Sequence, residues 1–301
     1  MLPCRWRSVF DAQPHVTLSR TDITRILQEH GLAPRRAFGQ NFVADPNTVR
    51  RIARLADVKA GDLVIEIGAG LGSLTLALAE TGAQVIAIEV DHGLVPVLKA
   101  VVADQALVTV VEGDAMSLDW NALIPADRTA VVVANLPYNI ATPLIADLLD
   151  DMPRIVRFVV MVQKEVALRL AALPGSADYG AVSVKVAYWA TARLLGDVPP
   201  SVFVPRPKVT SSIIEITRRP HPAIDQSVSP TELFSVIRKA FGQRRKMLRR
   251  SLAEITSSET FAQARIAPEA RPEELDVEQW GRLVREISKT RSGIATGLND
   301  D

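Results

Sequence analysis

The chain has 301 residues, 48% of them hydrophobic, which is enough for one sizeable core and a smaller second domain. Lys and Arg total 35 and Asp and Glu total 34, so the net charge of +1 excludes a uniformly cationic protein. Cys4 is the only cysteine, and the four histidines show no zinc-ligand spacing, so we expect neither a disulfide nor a metal. Without an apolar run of roughly 20 residues or a secretory signal, we expect a soluble, cytoplasmic protein that does not enter a membrane.

The first part of the chain predicts an arm followed by two helices. Residues 1–20 show no periodicity and are expected to form a loose N-terminal arm. Residues 22–31 and 46–57 have the spacing of amphipathic helices. In the second of these, Pro46 occupies the first turn, where proline is tolerated.

Short segments rich in Val and Ile then alternate with helical stretches. The predicted strands cover residues 63–67, 84–88, 107–111, 129–134 and 156–162, and the helices cover 72–81, 93–103 and 142–150. This alternation is typical of βαβ units on a parallel sheet covered on both faces. Residues 182–190 and 209–217 are predicted as an antiparallel pair of strands at the sheet edge, because the Pro-rich segment between them is too short for a crossover helix.

A domain boundary is predicted near residues 219–229, where prolines accumulate. Ser229 and Glu232 have the spacing of a capping box, so a helix is expected to begin there and to continue to about Leu252. Another helix is predicted over residues 276–288. The predicted organisation is an arm at 1–20, an α/β domain at 21–222, a helical domain at 223–290 and a disordered tail at 291–301.

A glycine-rich loop follows the first predicted strand of the sheet. Gly68 and Gly70 let the backbone turn sharply and approach a ligand closely. Glu89, at the end of the second strand, has the place of a carboxylate that accepts hydrogen bonds from both hydroxyls of a ribose. Asp114, after the third strand, has the place to accept one from an adenine amine, which a nicotinamide enzyme does not need. Either acid alone fits a solvated strand end, but the pair favours an adenosine-containing cofactor.

The tetrapeptide Asn135-Leu136-Pro137-Tyr138 follows the fourth strand, at the sheet edge where ligands of such folds bind. The side-chain oxygen of Asn135 and the carbonyl of Leu136 are both suited to accept hydrogen bonds from an amino group. Pro137 fixes the backbone, and Tyr138 offers a flat face on which a base stacks, worth roughly 1–3 kcal/mol. A turn without chemistry is the alternative. The preceding motifs favour methylation of a planar amine, with catalysis by orientation rather than by a strong base.

These residues resemble the motifs of the ribosomal RNA adenine N6-dimethyltransferases over roughly residues 35–252. The similar segments are Phe38 to Val43, Glu66 to Thr75, Asn135 to Ile140, Val162 to Ala167 and Phe203 to Val209. Val43 stands where the family usually has Leu, and Ala69 stands where it usually has Pro. Both are small changes that leave the resemblance of these two motifs intact.

The resemblance implies a Rossmann-like class I methyltransferase sheet with a small C-terminal helical domain, and S-adenosyl-L-methionine as cofactor. It implies that the cofactor residues are Asn41, Val43, Gly68, Gly70, Glu89, Asp114 and Asn135. It implies that the target-base residues are Asn135, Leu136, Pro137, Tyr138 and Phe203. The expected substrate is 16S rRNA within the immature 30S subunit, where two adjacent adenosines of the terminal hairpin loop are dimethylated by a monomeric enzyme.

The end of the long predicted helix is strongly basic. It carries five cations and no acid between Phe241 and Leu252, and these are Arg244, Arg245, Lys246, Arg249 and Arg250. Like charges four residues apart on a helix repel by about 0.2–0.5 kcal/mol per pair, which phosphate groups would offset. The run resembles that of small-subunit enzymes and predicts an RNA-binding surface, although a solvated basic face is the alternative.

Three rival functions remain open from the sequence. A large-subunit (23S) rRNA adenine N6-methyltransferase and a DNA adenine methyltransferase share the catalytic motif but explain the basic run less well. A catalytically weak ribosome-assembly or RNA-binding factor is the third, and the intact Asn135 to Tyr138 motif argues against it.

Overall fold

A computed structural model describes residues 17–35, 38–225 and 227–296, with side chains up to residue 291. Most of the predicted arm and the last residues of the predicted tail, 297–301, lie outside the described residues. Within them the chain forms two compact units. The first contains residues 17–144, 152–164 and 195–215, and the second contains 145–151, 165–194 and 216–296. The helical domain was predicted to begin at residue 223, whereas the second unit also includes the earlier segments 145–151 and 165–194.

The main sheet has seven strands. They are β2 (Leu63–Ile67), β3 (Gln84–Glu89), β4 (Val108–Glu112), β5 (Ala130–Asn135), β6 (Ile155–Gln163), β7 (Ala190–Val198) and β9 (Ser211–Arg218). Their order across the sheet is β4-β3-β2-β5-β6-β9-β7. The first five pair in parallel, and every residue of β2 is buried, as expected for a strand covered on both faces. The five parallel strands were predicted to within one residue at each end.

The strand order reverses at β2, because the chain runs from β2 outward to β3 and β4 and then returns to place β5 on the other side. At such a reversal the connections leave in opposite directions and open a crevice at the carboxyl ends of the strands. Gly68 follows β2 and Asn135 ends β5, so the sequence delivers both motifs to this crevice.

Helices of the first unit follow the predicted pattern. They are α1 (Arg20–Glu29), α2 (Pro46–Ala56), α3 (Ser73–Ala79), α4 (Val95–Val101) and α5 (Trp120–Leu123). Asp45 caps α2 by accepting from the backbone N–H groups of Asn47 and Thr48, and Pro46 occupies its first turn. Between α1 and α2, β1 (Phe42–Val43) pairs antiparallel with β8 (Phe203–Val204).

The second unit is mainly helical. The helices α6 (Ala141–Asp151) and α7 (Lys164–Leu170) begin in the first unit and continue in the second. The others are α8 (Ala181–Trp189), α9 (Pro230–Phe241), α10 (Leu248–Ser251), α11 (Ser258–Ala264) and α12 (Val277–Thr296). Their core is formed around the fully buried Trp280, Phe261 and Leu248.

The prediction of a strand over residues 182–190 was wrong, because this segment forms α8. Its alternating β-branched residues suggested a strand, but the helix packs against α9 and α12. Ser183 fixes its start, since its Oγ accepts the N–H of Gly180 at 2.9 Å. Burial in the helical core has overridden local propensity here. The edge strand is β7 instead, and it lies beside β9, which fits the second predicted strand.

The prediction of one helix from 230 to about 252 was also wrong. The helix α9 ends at Phe241, with Gly242 at its C-cap, and a turn separates it from α10. The N–H groups of Leu248 and Arg249 donate to the carbonyls of Ala270 and Pro268, at 2.8 and 3.0 Å, rather than to carbonyls one turn earlier. These tertiary hydrogen bonds break the helix.

Two helix-end predictions differ from the structure. Ser229 is the N-cap of α9, but its side chain makes no capping hydrogen bond, so the predicted capping box is not formed. The helix α12 runs to Thr296, so residues 291–296 are helical where a disordered tail was predicted. Among the described residues, no helix combines the length and the apolar composition that crossing a bilayer requires.

Candidate active site

A cleft lies in the first unit at the carboxyl ends of β2, β3 and β5. It encloses about 740 Å³ of empty space, part of which is open to solvent. Nine of the predicted site residues line it: Asn41, Val43, Gly68, Gly70, Glu89, Asn135, Leu136, Pro137 and Tyr138. The structure therefore brings together the glycine loop, the second-strand acid and the tetrapeptide.

The glycine loop depends on left-handed backbone at its two predicted positions. Gly68 has φ +73° and Gly70 has φ +60°, a region that side chains rarely adopt. A Cβ on Gly70 would also lie 3.1 Å from the ring of Phe42, which lines the same cleft. The backbone here is kept bare, and a ligand in the cleft can approach it closely.

Glu89 is the buried acid of the cleft, with 4% of its surface exposed. Its Oε2 accepts the N–H of Gly70 at 2.7 Å, and its Oε1 accepts the N–H of Asp91 at 2.9 Å. Burial raises the pKa of the Glu89 carboxyl, although these two hydrogen bonds oppose the shift. Each oxygen keeps a second lone-pair direction, so the carboxylate can accept two ribose hydroxyls.

The side-chain amide of Asn135 is oriented by the backbone of Asn41. Its Nδ2 donates to the carbonyl oxygen of Asn41 at 3.0 Å. Because a carbonyl oxygen only accepts hydrogen bonds, the nitrogen end of the amide is committed to it. The Oδ1 of Asn135 is left as the end that can accept from an amino group.

The rest of the tetrapeptide is fixed by contacts with neighbouring strands. The N–H of Leu136 donates to the carbonyl of Met161 in β6 at 3.0 Å. The Tyr138 hydroxyl lies 2.8 Å from Oγ of Ser211, the first residue of β9. Burial raises the pKa of the Tyr138 phenol, so this side chain is neutral near pH 7.

Phe203 is not brought into the cleft. Its side chain has 0% exposure and packs in the core that contains Val43 and Val49. The pairing of β1 with β8 sets Phe203 opposite Val43 and holds it there. The aromatic residues that line the cleft with Tyr138 are Phe38 and Phe42, to which the sequence assigned no role.

Asp114 also lies outside the cleft lining. It is exposed, and its Oδ1 accepts the N–H of Met116 at 2.9 Å. The preceding residue, Gly113, donates its N–H to the carbonyl of Glu89 at 3.0 Å. Asp114 is therefore two residues beyond β4, beside the strand that carries Glu89, and its contact with adenine stays a prediction.

Glu66 is a cleft residue that sequence reasoning missed. Only 2% of it is exposed, and burial, with the nearby charge of Glu89, raises its pKa to about 8. The signal was visible as one carboxylate inside the apolar run 63–67, at the start of the glycine-loop motif, but no role was assigned to it. Near pH 7 the Glu66 carboxyl is mostly protonated.

The five predicted RNA-binding cations belong to the second unit and differ in their contacts. Arg244 donates to the carbonyl of Ala177 at 2.8 Å and lies 3.8 Å from the carboxylate of Glu273. Arg249 pairs with Glu269 at 2.9 Å. The exposed Arg245, Lys246 and Arg250 form no ion pair with the part of the chain that the structure describes. Because α9 and α10 are separate, the predicted repulsion along one helix does not arise.

The parallel part of the sheet with its reversal at β2, the glycine loop and the buried acid define a Rossmann-like fold with a site for a nucleoside-containing cofactor. The model of the family "Ribosomal RNA adenine dimethylase" matches residues 31–289. The chain belongs to this family and is an S-adenosylmethionine-dependent methyltransferase of ribosomal RNA adenine.

Curated relatives match almost the whole chain. The "Ribosomal RNA small subunit methyltransferase A" of Cutibacterium acnes is 45% identical over 285 residues, which cover 90% of this chain and 95% of that protein. The protein of the same name from Streptomyces avermitilis is 43% identical over 280 residues, with 90% and 94% covered.

Two solved structures are similar over most of the chain. A dimethyladenosine transferase from Plasmodium falciparum has a TM-score of 0.70 and 25% identity, with 82% of this chain and 97% of that chain covered. The 23S rRNA methyltransferase ErmE has a TM-score of 0.65 and 25% identity, with 82% and 100% covered. The fold is therefore also that of a large-subunit enzyme.

The residues of the cleft fit the cofactor of the family. Gly68 and Gly70 supply the left-handed backbone of the loop that lines the cleft, and Glu89 offers buried acceptors for ribose hydroxyls. The side-chain amide of Asn135, whose nitrogen donates to the carbonyl of Asn41, lies in the same cleft. Apolar and polar side chains both line the cleft, as is usual for a small-molecule site.

Proposed function

We propose that this protein transfers methyl groups from S-adenosylmethionine to N6 of two adjacent adenosines in the 3′-terminal hairpin loop of 16S rRNA. The product is N6,N6-dimethyladenosine, formed on the immature 30S subunit. The observation that carries the chemistry is the amide of Asn135, whose nitrogen is held by Asn41 and whose oxygen is left to accept from the target amine. The choice of subunit is supported by the name that the relatives at 43–45% identity share.

In this proposal the protein works by orientation. S-adenosylmethionine supplies an electrophilic methyl group on its sulfonium. Asn135 Oδ1 and the carbonyl of Leu136 accept hydrogen bonds from the N6–H groups, which aims the nitrogen lone pair away from them. One N6 proton is released to water for each methyl group that is transferred. Tyr138 stacks on the base, and Pro137 keeps the turn rigid. Tyr138 does not serve as the base, because its raised pKa keeps the phenol protonated.

Glu89, Gly68 and Gly70 bind the methyl donor in the proposal. The carboxylate of Glu89 accepts the ribose hydroxyls, and the two glycines admit the ligand against bare backbone. Asn41 and Val43 close the other side of the cleft. Asp114 receives the adenine amine at the end of the site beside β4.

The helical unit provides RNA binding in the proposal. Arg245, Lys246 and Arg250 are exposed cations, suited to contact phosphates. Arg244 and Arg249 have carboxylate or carbonyl partners and contribute less. We expect the enzyme to act as a monomer in the cytoplasm, where ribosomal subunits are assembled.

Labelled S-adenosylmethionine distinguishes the candidate substrates. The protein is incubated with unmethylated 30S subunits and, in parallel, with 50S subunits, and the incorporated label is measured. The proposal predicts label only in the 30S sample. Label only in the 50S sample would support the large-subunit alternative, which the likeness to ErmE keeps in view. Cofactor binding without label in either sample would indicate an assembly factor.

A further inference from the structure

The side chain of Gln40 is bound at both ends. Its Oε1 accepts the backbone N–H of Arg35 at 2.7 Å, and its Nε2 donates to Oδ2 of Asp91 at 2.8 Å. Gln40 directly precedes Asn41, but the predicted site gave it no role. Since both polar ends are used within the protein, this side chain acts as a strut rather than as a ligand-binding group.

Asp91 connects that strut to the buried acid of the cleft. It is 3% exposed, and its Oδ1 accepts from Nη1 of Arg35 at 3.1 Å and from the N–H of Gly93 at 3.0 Å. The N–H of Asp91 donates to Oε1 of Glu89 at 2.9 Å. A buried carboxylate with several donors is rigidly held, because the loss of any one hydrogen bond would leave charge unsatisfied.

The other end of the segment reaches the catalytic amide. Phe38, Gly39, Gln40 and Asn41 all line the cleft. The carbonyl of Asn41 accepts from Nδ2 of Asn135 at 3.0 Å. If the Asn41 carbonyl were displaced, Nδ2 of Asn135 would lose its hydrogen-bond acceptor. Nothing would then fix which end of the Asn135 amide faces the target amine.

We propose that Gln40 is a positioning residue for methyl transfer. Its hydrogen bond to Asp91 holds segment 38–41 against the methyl-donor site and, through the carbonyl of Asn41, orients Asn135. The inference rests on the proposed function, since the cleft is taken as the methyl-donor site. It assigns to Gln40 an effect on both cofactor affinity and the rate of the chemical step.

An exchange of polarity tests the pairing directly. Gln40→Glu sets a carboxylate against Asp91, and we expect a roughly 10- to 100-fold loss in affinity for S-adenosylhomocysteine and in single-turnover rate at saturating cofactor. In the single variant Asp91→Asn, an amide nitrogen replaces the oxygen that accepts from Nε2 of Gln40, so two donors face each other. We expect this variant also to lose cofactor affinity and single-turnover rate. The double variant Gln40→Glu/Asp91→Asn reverses donor and acceptor and should return both to within about threefold of wild type.

A control glutamine is available on β3, the strand that carries Glu89. Gln84, at the start of β3, also bonds an arginine, Arg128, but lies at the opposite end of the strand from Glu89. Gln84→Ala should leave cofactor affinity and rate unchanged. If Gln40 had only a general structural role, Gln40→Glu would lower the melting temperature, and the double variant Gln40→Glu/Asp91→Asn would not restore it.

The outcomes separate the inference from the proposed function. If wild type binds S-adenosylhomocysteine but the double variant is as impaired as Gln40→Glu, or if Gln40→Glu matches wild type, the positioning role is overturned. If wild type itself does not bind, the proposed function fails instead. Should Gln40→Glu not fold, Gln40→Ala removes the strut without adding charge. Faster amide exchange of residues 38–43 in that variant supports the role, and unchanged exchange contradicts it.

Discussion

The hydroxyl of Tyr138 is anchored to Oγ of Ser211 at 2.8 Å, and Ser211 is fully buried at the start of β9. This hydrogen bond connects the turn after β5 to a strand on the far side of β6. The ring of Tyr138 lines the cleft while its polar end is held in the protein. A stacking surface fixed in this way loses little rotational freedom when a base arrives.

Truncation of Tyr138 should affect the target base rather than the cofactor. We expect Tyr138→Ala to lower kcat/KM for the RNA by roughly 5- to 150-fold, the equivalent of about 1–3 kcal/mol of base stacking. Tyr138→Phe keeps the ring and should lose less. Calorimetric affinity for S-adenosylhomocysteine should stay near wild type in both variants, and a parallel loss of cofactor affinity would argue against stacking.

Glu89 should act mainly on cofactor affinity. Glu89→Ala removes buried acceptors for ribose hydroxyls and also frees the N–H groups of Gly70 and Asp91. Hydrogen bonds to charged groups are worth about 1.5–3 kcal/mol, so the dissociation constant for S-adenosylmethionine should rise by about 10- to 150-fold. Equilibrium dialysis measures this directly. An unchanged dissociation constant would remove Glu89 from the site.

Glu66 should make the fold less stable at alkaline pH. Its pKa rises from 4.5 to about 8 on folding, so between these values the folded state holds a proton that the unfolded state has released. The free energy of unfolding therefore falls with rising pH over this window. Glu66→Gln should raise the melting temperature at about pH 9 and change it much less at about pH 5. Equal shifts at both values would contradict the assigned pKa.

The basic residues should separate into RNA-binding and structural groups. Replacing Arg245, Lys246 and Arg250 with Ala should reduce the salt dependence of subunit binding by about 0.7–0.9 in log–log slope for each phosphate that is no longer neutralised. Arg244→Ala should mainly lower the melting temperature, because it removes the hydrogen bond to the carbonyl of Ala177. If the triple variant kept the wild-type salt slope, these cations would be a solvated face only.

Phe203 should behave as a core residue. Its side chain is fully buried, so Phe203→Ala should lower the free energy of unfolding by about 3–5 kcal/mol in a denaturant titration. Phe38→Ala, at the half-buried aromatic residue of the cleft, should cost less stability and raise KM for the RNA. A stable Phe203→Ala protein that had lost methyl transfer would instead support the target-base role that the resemblance implies for Phe203.

The centre of the sheet was predictable because β2, β5 and β6 are largely buried and are therefore apolar runs. The loop after β2 and the turn after β5 were also predictable, since glycine and proline have few other uses at such positions. The sequence placed Glu89 and Asn135 at one edge, the resemblance added Asn41, and the structure brings all three to one cleft.

What the sequence did not reveal depends on tertiary contacts. The strand-like pattern of residues 182–190 became α8 because helical neighbours cover it. The helix predicted over 230–252 ends at Phe241 because the N–H groups of Leu248 and Arg249 donate to carbonyls that are distant in sequence. These are the carbonyls of Ala270 and Pro268. Phe203 lies outside the cleft because its strand, β8, pairs with β1. Each of these strands has only two residues, so no periodicity in the sequence indicates their pairing. The strut formed by Gln40 requires a partner 51 residues away.

The most direct test is mass spectrometry of the 3′-terminal fragment of 16S rRNA after reaction of unmethylated 30S subunits with the wild-type protein. We expect two adjacent N6,N6-dimethyladenosines in the hairpin loop with wild type, and strongly reduced modification with Tyr138→Ala. An unmodified fragment from wild-type reactions, or methylation at another nucleoside, would contradict the proposed function.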